Sequence, residues 1–246
     1  GVDMVLTSKR DPALTHSQLL NKINVTIPQK RIEEAAEKIF KLKQDLGLFE
    51  DGGATSQIPS SLEAFNYFAN KLTREAVTVV KAQSGVLPYT KYPPASLANT
   101  QNNKEEKPKL CSVFFSPSRF ADQLQIIQAP FLEKGWEVEF YNAYMRPRDT
   151  DITRAKRCMQ KADLVIIGSM QWADKPIASQ KRAIAELLKS NKDIVFVSLM
   201  SPYDIKFYPE AKNVIALYGI NHMSSQAAAD VILGNIEPKG KLPIKL

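Results

Sequence analysis

From Lys109 onward the apolar positions switch period every few residues. Short apolar runs at 111–115, 137–141, 164–167, 194–199 and 214–217 alternate with stretches at 120–134, 152–161, 178–188 and 225–233, where apolar residues recur every three or four positions. Strand and helix in alternation, joined by short connections, predict a mostly parallel sheet with helices on both faces. Leu164-Val-Ile-Ile167 and Ile194-Val-Phe-Val197 are apolar on both sides, as central parallel strands require. The first third reads differently. Val2 to Leu6 has the character of a strand, and Leu19, Leu20 and Ile23 stand at helical spacing. Pro28 opens the next helix, where its missing N–H is not needed. Ile32, Ala35, Ala36, Ile39, Phe40, Leu42 and Leu46 then form a stripe of helical period that Gly47 ends. Residues 50–61 are rich in Gly, Ser and Thr and read as a linker. Residues 62–81 are helical by pattern, pass into the β-branched run Val77-Thr-Val-Val80 and stop at Ser84-Gly85. The polar, proline-bounded stretch 93–108 reads as a loop, and no internal repeat is visible.

Composition narrows the function classes. At 246 residues with 44% apolar content, one large or two small domains with a real core are expected. The net charge of +7 comes from scattered basic residues, and no basic block alternates with aromatics, so a nucleic-acid groove is not expected. The same charge is compatible with an anionic cell-wall polymer. No stretch is apolar enough to span a membrane. The chain opens on Gly1 with a buried-strand pattern, which reads as a start inside a longer protein. Cys111 falls in a strand and Cys158 in a helix, without CxxC or metal-ligand spacing, and they read as two buried free thiols. Two cysteines do not decide between an extracytoplasmic and a cytoplasmic home. The first strand-to-helix turn, Phe115-Ser-Pro-Ser-Arg119, lacks a GxGxxG, so no dinucleotide or other cofactor is expected and a flavodoxin-like reading has no phosphate loop.

The ending carries the most specific string. Ala227 to Leu233 is an apolar helical run, Gly234 is suited to the left-handed turn that closes a helix, and a turn with Pro238 and Gly240 leads to a short apolar tail. This resembles the end of the second domain of glycoside hydrolase family 3, where a run such as A-x-x-L-x-G-x-x-x-P-x-G-(K/R)-L-P closes an α/β sandwich. Residues 70–88 resemble that family's entry to the second domain. Gly1 to Leu6, and 23–49 ending in Lys43-Gln-Asp-Leu-Gly-Leu-Phe49, resemble the last strand and closing helix of its barrel. The resemblance implies a barrel remnant at 1–50, a linker at 51–61, a connecting helix and loop at 62–108, and a three-layer α/β sandwich at 109–246. It implies a parent enzyme that hydrolyses β-linked N-acetylglucosamine or a related sugar, with partners limited to carbohydrate and the upstream barrel. Most of that barrel lies outside this chain, and with it the positions where the family keeps its nucleophile.

Candidate chemistry concentrates beyond the carboxyl ends of the strands, at 116–119, 169–175 and 201–206. The middle loop holds Trp172 and Asp174. Read from its residues alone, it is a surface carboxylate beside a packing indole. In the β-glucosidase branch of the family a similar strand leads into G-E-x-P-Y-x-E, whose last Glu is the acid/base. Aligned on Gly168, Trp172 falls on the aromatic and Asp174 on that Glu. Asp is one methylene shorter, and the flanking Glu and Pro are missing. Leu6, Thr7, Ser8 and Lys9 fall where a last barrel strand meets the active face, so Ser8 is a candidate pocket residue. Asp11 and His16 do not match the family's Asp-x-His loop and read as a helix-start carboxylate and an exposed imidazole. His222 reads as solvated, beside an Asn221 or Ser224 helix cap. A retaining glycosidase needs two suitable groups about 5 Å apart, or a nucleophile with another proton donor, and this chain does not assemble that set.

Overall fold

The computed structural model describes residues 2–6, 12–49, 61–91, 107–171 and 176–245. The chain divides into two compact units, 1–61 and 62–246.

In the first unit, helix α1 spans Pro12–Leu20 and helix α2 spans Gln29–Asp45. Pro28 immediately precedes α2, and Gly47 takes the positive φ of 65° that ends it. Arg31 and Lys38 both pair with Asp3, the lysine at 3.2 Å, and Phe40 stacks on Phe49 at 4.9 Å. Neither helix buries a side chain. The strand expected at Val2 to Leu6 does not form, and the side chains of Val2, Met4, Val5 and Leu6 are exposed. An extended segment becomes a strand only when a neighbour takes its N–H and C=O groups, and the described residues offer this one no ladder.

The second unit opens with α3, Leu62–Ala76, and strand β1, Thr78–Lys81. The helical pattern therefore stops where the β-branched run begins, because Val and Thr pack better on a pleated surface. Strands β2 (Lys109–Phe115), β3 (Glu137–Asn142), β4 (Leu164–Ser169), β5 (Asp193–Ser198) and β6 (Val214–Ala216) follow. With β1 they form a six-stranded sheet in the order β1-β6-β5-β4-β2-β3, parallel throughout except for the antiparallel β1 edge. Helix α4 (Ala121–Gln125) and α5 (Ala129–Glu133) divide the stretch read as one helix, with Pro130 at the start of α5. Then come α6 (Asp149–Lys161), α7 (Ala178–Leu188) and α8 (His222–Ile232). One face of the sheet buries Phe114, Ile166, Val195 and Ile215 against α4, α5 and α8. The other buries Val113, Val165, Ile167 and Phe196 against α6 and α7.

Three local devices lock this unit. A Cβ at Gly168 would lie 2.1 Å from the Phe114 ring, so the glycine lets that ring cross β4. Gly234 takes φ 69°, its N–H bonds Val231 O at 3.1 Å, and the Asn235 N–H bonds Asp230 O at 2.8 Å, closing α8 with a double-bonded left-handed cap. A Cβ at Gly240 would lie 2.3 Å from Ala76 O, which explains a glycine in the tail motif where it passes the start of β1. The free-thiol expectation fails. Cys111 on β2 and Cys158 on α6 are joined in a disulfide, with Cα atoms 5.7 Å apart. They are 47 residues apart in sequence, but α6 lies across β2 and brings them together.

Candidate functional site

The chain leaves β2 toward β3 on one side and places β4, β5 and β6 on the other. The switch point, where ligands enter open α/β sheets, therefore lies between β2 and β4. Ser116 and Ser169 stand there, both fully buried. Gln180 on α7 spans the gap: its amide N–H group donates to Phe115 O at 3.0 Å and to Met170 O at 3.3 Å, and its carbonyl accepts from the Gln171 amide. One side chain thus ties the ends of β2 and β4 together, adding to the Met170 N–H bond that the Phe115 carbonyl already accepts at 3.2 Å. In the β2 loop, the Arg119 guanidinium lies 4.9 Å from the centre of the Phe120 ring.

Next to the switch point lies a buried acidic residue. Asp204 sits in the 3-10 turn Pro202–Phe207 that follows β5, with 1% of its surface exposed. Ser169 and Ser198, register partners at the ends of β4 and β5, lie beside it. Tyr208 packs on Phe196 with ring centres 4.9 Å apart. Among the described residues, neither carboxyl oxygen of Asp204 has a well-formed hydrogen bond, nor do the Ser169 and Tyr208 hydroxyls. Burial pushes the Asp204 carboxyl up to about 7, against partial relief from Ser198, Ser169 and the Ile205 amide. Burial also raises the Tyr208 hydroxyl.

Asp151 shows the contrast. It too is buried, which pushes its carboxyl up, but it accepts from Tyr141 Oη at 2.6 Å and from the Arg148 N–H at 2.8 Å, and the net shift is downward. Its partner Tyr141 is raised to about 12, first by burial and then by that hydrogen bond. Burial thus favours the protonated, neutral form of Asp204, and the same burial leaves almost none of its surface open to solvent.

Trp172, Asp174 and Ser8 lie outside the described residues, as do Thr7, Lys9 and Asp11. His16 is exposed on α1. Asn221 caps α8 by accepting from Ser224 N–H at 2.8 Å, and His222 beside it is exposed. Tyr203 is half exposed on the turn after β5, with Lys206 Nζ 5.1 Å from its ring centre. The structure thus gathers Ser169, Gln171, Ser198 and Asp204 at the carboxyl edge. Asp204 belongs to the third loop singled out from the sequence, but nothing in the string marks it as buried. Gln180 and Tyr208 were not legible at all. A groove of about 560 Å³ lined by Tyr67, Asn70, Lys71, Arg74 and Lys239 shares no residue with this edge. Arg74 within it is paired to Asp230 at 2.7 Å. No helix among the described residues is long and apolar enough to cross a membrane.

The profile of the glycosyl hydrolase family 3 C-terminal domain matches residues 16–246. No curated protein matches the sequence. Among solved structures, a glycoside hydrolase family 3 β-N-acetylglucosaminidase from Paenibacillus sp. str. FPU-7 is similar at TM-score 0.64 and 16% identity, over 92% of this chain and 42% of that one. A β-glucoside phosphorylase is similar at TM-score 0.60 and 18% identity, over 100% and 44%. A β-glucosidase from Listeria innocua is similar at TM-score 0.61 and 15% identity, over 90% and 33%. At these identities the likeness establishes the fold, and this chain spans less than half the length of each of the three.

Proposed function

The chain belongs to glycosyl hydrolase family 3, and from that premise we propose that it serves as the C-terminal region of a retaining hydrolase that removes terminal β-linked N-acetylglucosamine or a related β-hexosaminide. Among polymers that carry this linkage, anionic peptidoglycan suits the net charge of +7. In such a reaction a carboxylate attacks the anomeric carbon, a second group protonates the leaving oxygen, and water then releases the sugar. In this reading residues 1–50 complete a barrel, 51–61 link it, 62–108 lead into the sandwich, and 109–246 brace the catalytic domain. The barrel supplies the nucleophile and the proton donor, Ser8 lines its mouth, and Trp172 stacks on sugar from the sandwich. Asp174 is the candidate acid if the sandwich contributes one.

The observation that carries this division of labour is the carboxyl edge itself. Its buried carboxyl, Asp204, is walled off from any sugar. The test is turnover of a chromogenic N-acetylglucosaminide and a glucoside by the chain alone and by the chain joined to a family barrel. No turnover alone, and preference for the N-acetylglucosaminide when joined, is expected. Turnover by the chain alone overturns the division of labour, and preference for the glucoside replaces the sugar assignment with a β-glucosidase-like one.

The half-exposed Tyr203 favours a second reading, a non-catalytic carbohydrate- or partner-binding module. It predicts saturable quenching of protein fluorescence by glycan fragments, weakened by Tyr203→Ala or Trp172→Ala. A titration with no saturation removes it.

A further inference from the structure

We propose that Cys111–Cys158 is a permanent structural cross-link, made by oxidation before α6 closes on the sheet, and that this domain therefore matures in a disulfide-forming compartment.

Both sulfurs sit in the core of the second unit. Cys111 lies within β2, hydrogen-bonded between β3 and β4, and is 1% exposed. Cys158 shares the inner face of α6 with Ile152, Ala155 and Met159 and is 4% exposed. Both belong to the apolar core that covers this face of the sheet. The Cα separation of 5.7 Å lies in the range that a relaxed disulfide spans. Other roles for a cysteine pair do not fit. A catalytic redox pair needs an accessible thiolate, usually in a CxxC, whereas these are 47 residues apart and covered. The described residues hold no group of three or more His, Cys, Asp or Glu able to bind a metal ion.

The chemistry fixes the order of events. One cysteine thiolate attacks the disulfide of an oxidant, either a thiol–disulfide oxidoreductase or a small-molecule disulfide. This forms a mixed disulfide and releases one oxidant thiol. The second thiolate attacks the protein-side sulfur, forms the Cys111–Cys158 bond and expels the second oxidant thiol. The protein loses two electrons and two protons, and the oxidant is reduced to two thiols. Neither sulfur can be approached once α6 lies on β2, so oxidation precedes that docking. The same cover then shields the bond from reductants. A reducing cytoplasm holds thiols in the reduced form, so a cross-link of this kind places maturation elsewhere.

The test is independent of the sugar assignment. The chain is secreted into a bacterial periplasm, unfolded in guanidinium with N-ethylmaleimide, and weighed intact. No adducts are expected without reductant and two after reduction in denaturant. Two adducts without reductant overturn the proposal. Folded protein treated with dithiothreitol is expected to resist reduction at least tenfold longer than unfolded protein, and equal rates overturn the claim of permanence. The reduced wild type is the control of equal shape. It is expected to melt roughly 10 °C lower, from the loop closed by the bond and the size of the domain. Material made in a reducing cytoplasm and alkylated at lysis is expected to carry two adducts after unfolding. Finding it cross-linked, or finding the reduced form equally stable, overturns the proposal.

Discussion

Helix α2 buries no side chain, whereas α6 buries Asp151, Ile152, Ala155, Cys158 and Met159. Both are amphipathic, and both carry apolar residues at helical spacing. The difference lies in what each stripe meets. The α6 stripe lies on β2, in a core that also holds Val113 and Val165. The α2 stripe leaves Phe40, Leu42 and Leu46 at least half exposed. A stripe therefore says which face of a helix is meant to be covered, and nothing about whether the cover is present. Helix stability in proteins comes mostly from that cover, since short helices are marginal alone.

The largest test of the contrast is a matched pair. Leu164→Ala, at the fully buried start of β4, is expected to destabilise the 62–246 unit by about 2–5 kcal/mol, while Leu42→Ala on α2 stays within about 0.5 kcal/mol. Chemical denaturation followed by a near-ultraviolet signal distinguishes them, and equal effects would break the comparison. Gly168→Ala comes next. Its new Cβ meets the fully buried Phe114 ring, which stacks on Phe140, so a loss of about 3 kcal/mol is expected, measured as a lower denaturation midpoint at unchanged slope.

The two buried aspartates sharpen the point within one unit. Asp204 has a folded pKa raised from 3.8 to about 7. Between those values the folded state holds the proton more tightly than the unfolded chain does. Folding is therefore undisturbed by this group below about pH 4, loses stability as pH rises, and bears the full penalty above pH 7. Asp204→Asn removes that penalty. The variant is expected to be more stable than wild type by on the order of 2 kcal/mol at pH 8, with no gain at pH 4. Melting curves across pH check it, and a gain that does not depend on pH would refute the assignment. Asp151 is shifted downward, so its stabilisation is present at neutral pH and is lost on acidification. The smallest effect is expected at Asn221→Ala, which removes the bond to Ser224 N–H and costs about 1 kcal/mol of α8.

Much of the second unit was legible in the string. The runs at 164–167 and 194–199 became β4 and β5 because a strand covered on both faces admits few polar residues. Gly234 marked the end of α8 because a left-handed residue without a Cβ was needed there. The candidate site was less legible. The sequence picked out three strand-end loops by topology alone, and the structure brings Ser169 and Asp204 together from two of them, beside Ser198 at the end of β5. That Gln180 clamps two strand ends depends on how α7 docks, which no local pattern encodes.

The chain's own pattern therefore determined the element types, the parallel sheet and the family, because periodicity, turn residues and the closing motif act over a few residues at a time. The tertiary structure alone decided which carboxyls were answered and which cysteines met. Asp151 and Asp204 are the same residue type, yet Asp151 accepts a well-formed hydrogen bond from Tyr141 and Asp204 has only the partial relief of Ser169, Ser198 and the Ile205 amide. Cys111 and Cys158 became a pair because α6 crosses β2. Burial and long-range proximity are properties of packing, and a one-dimensional string records them only indirectly.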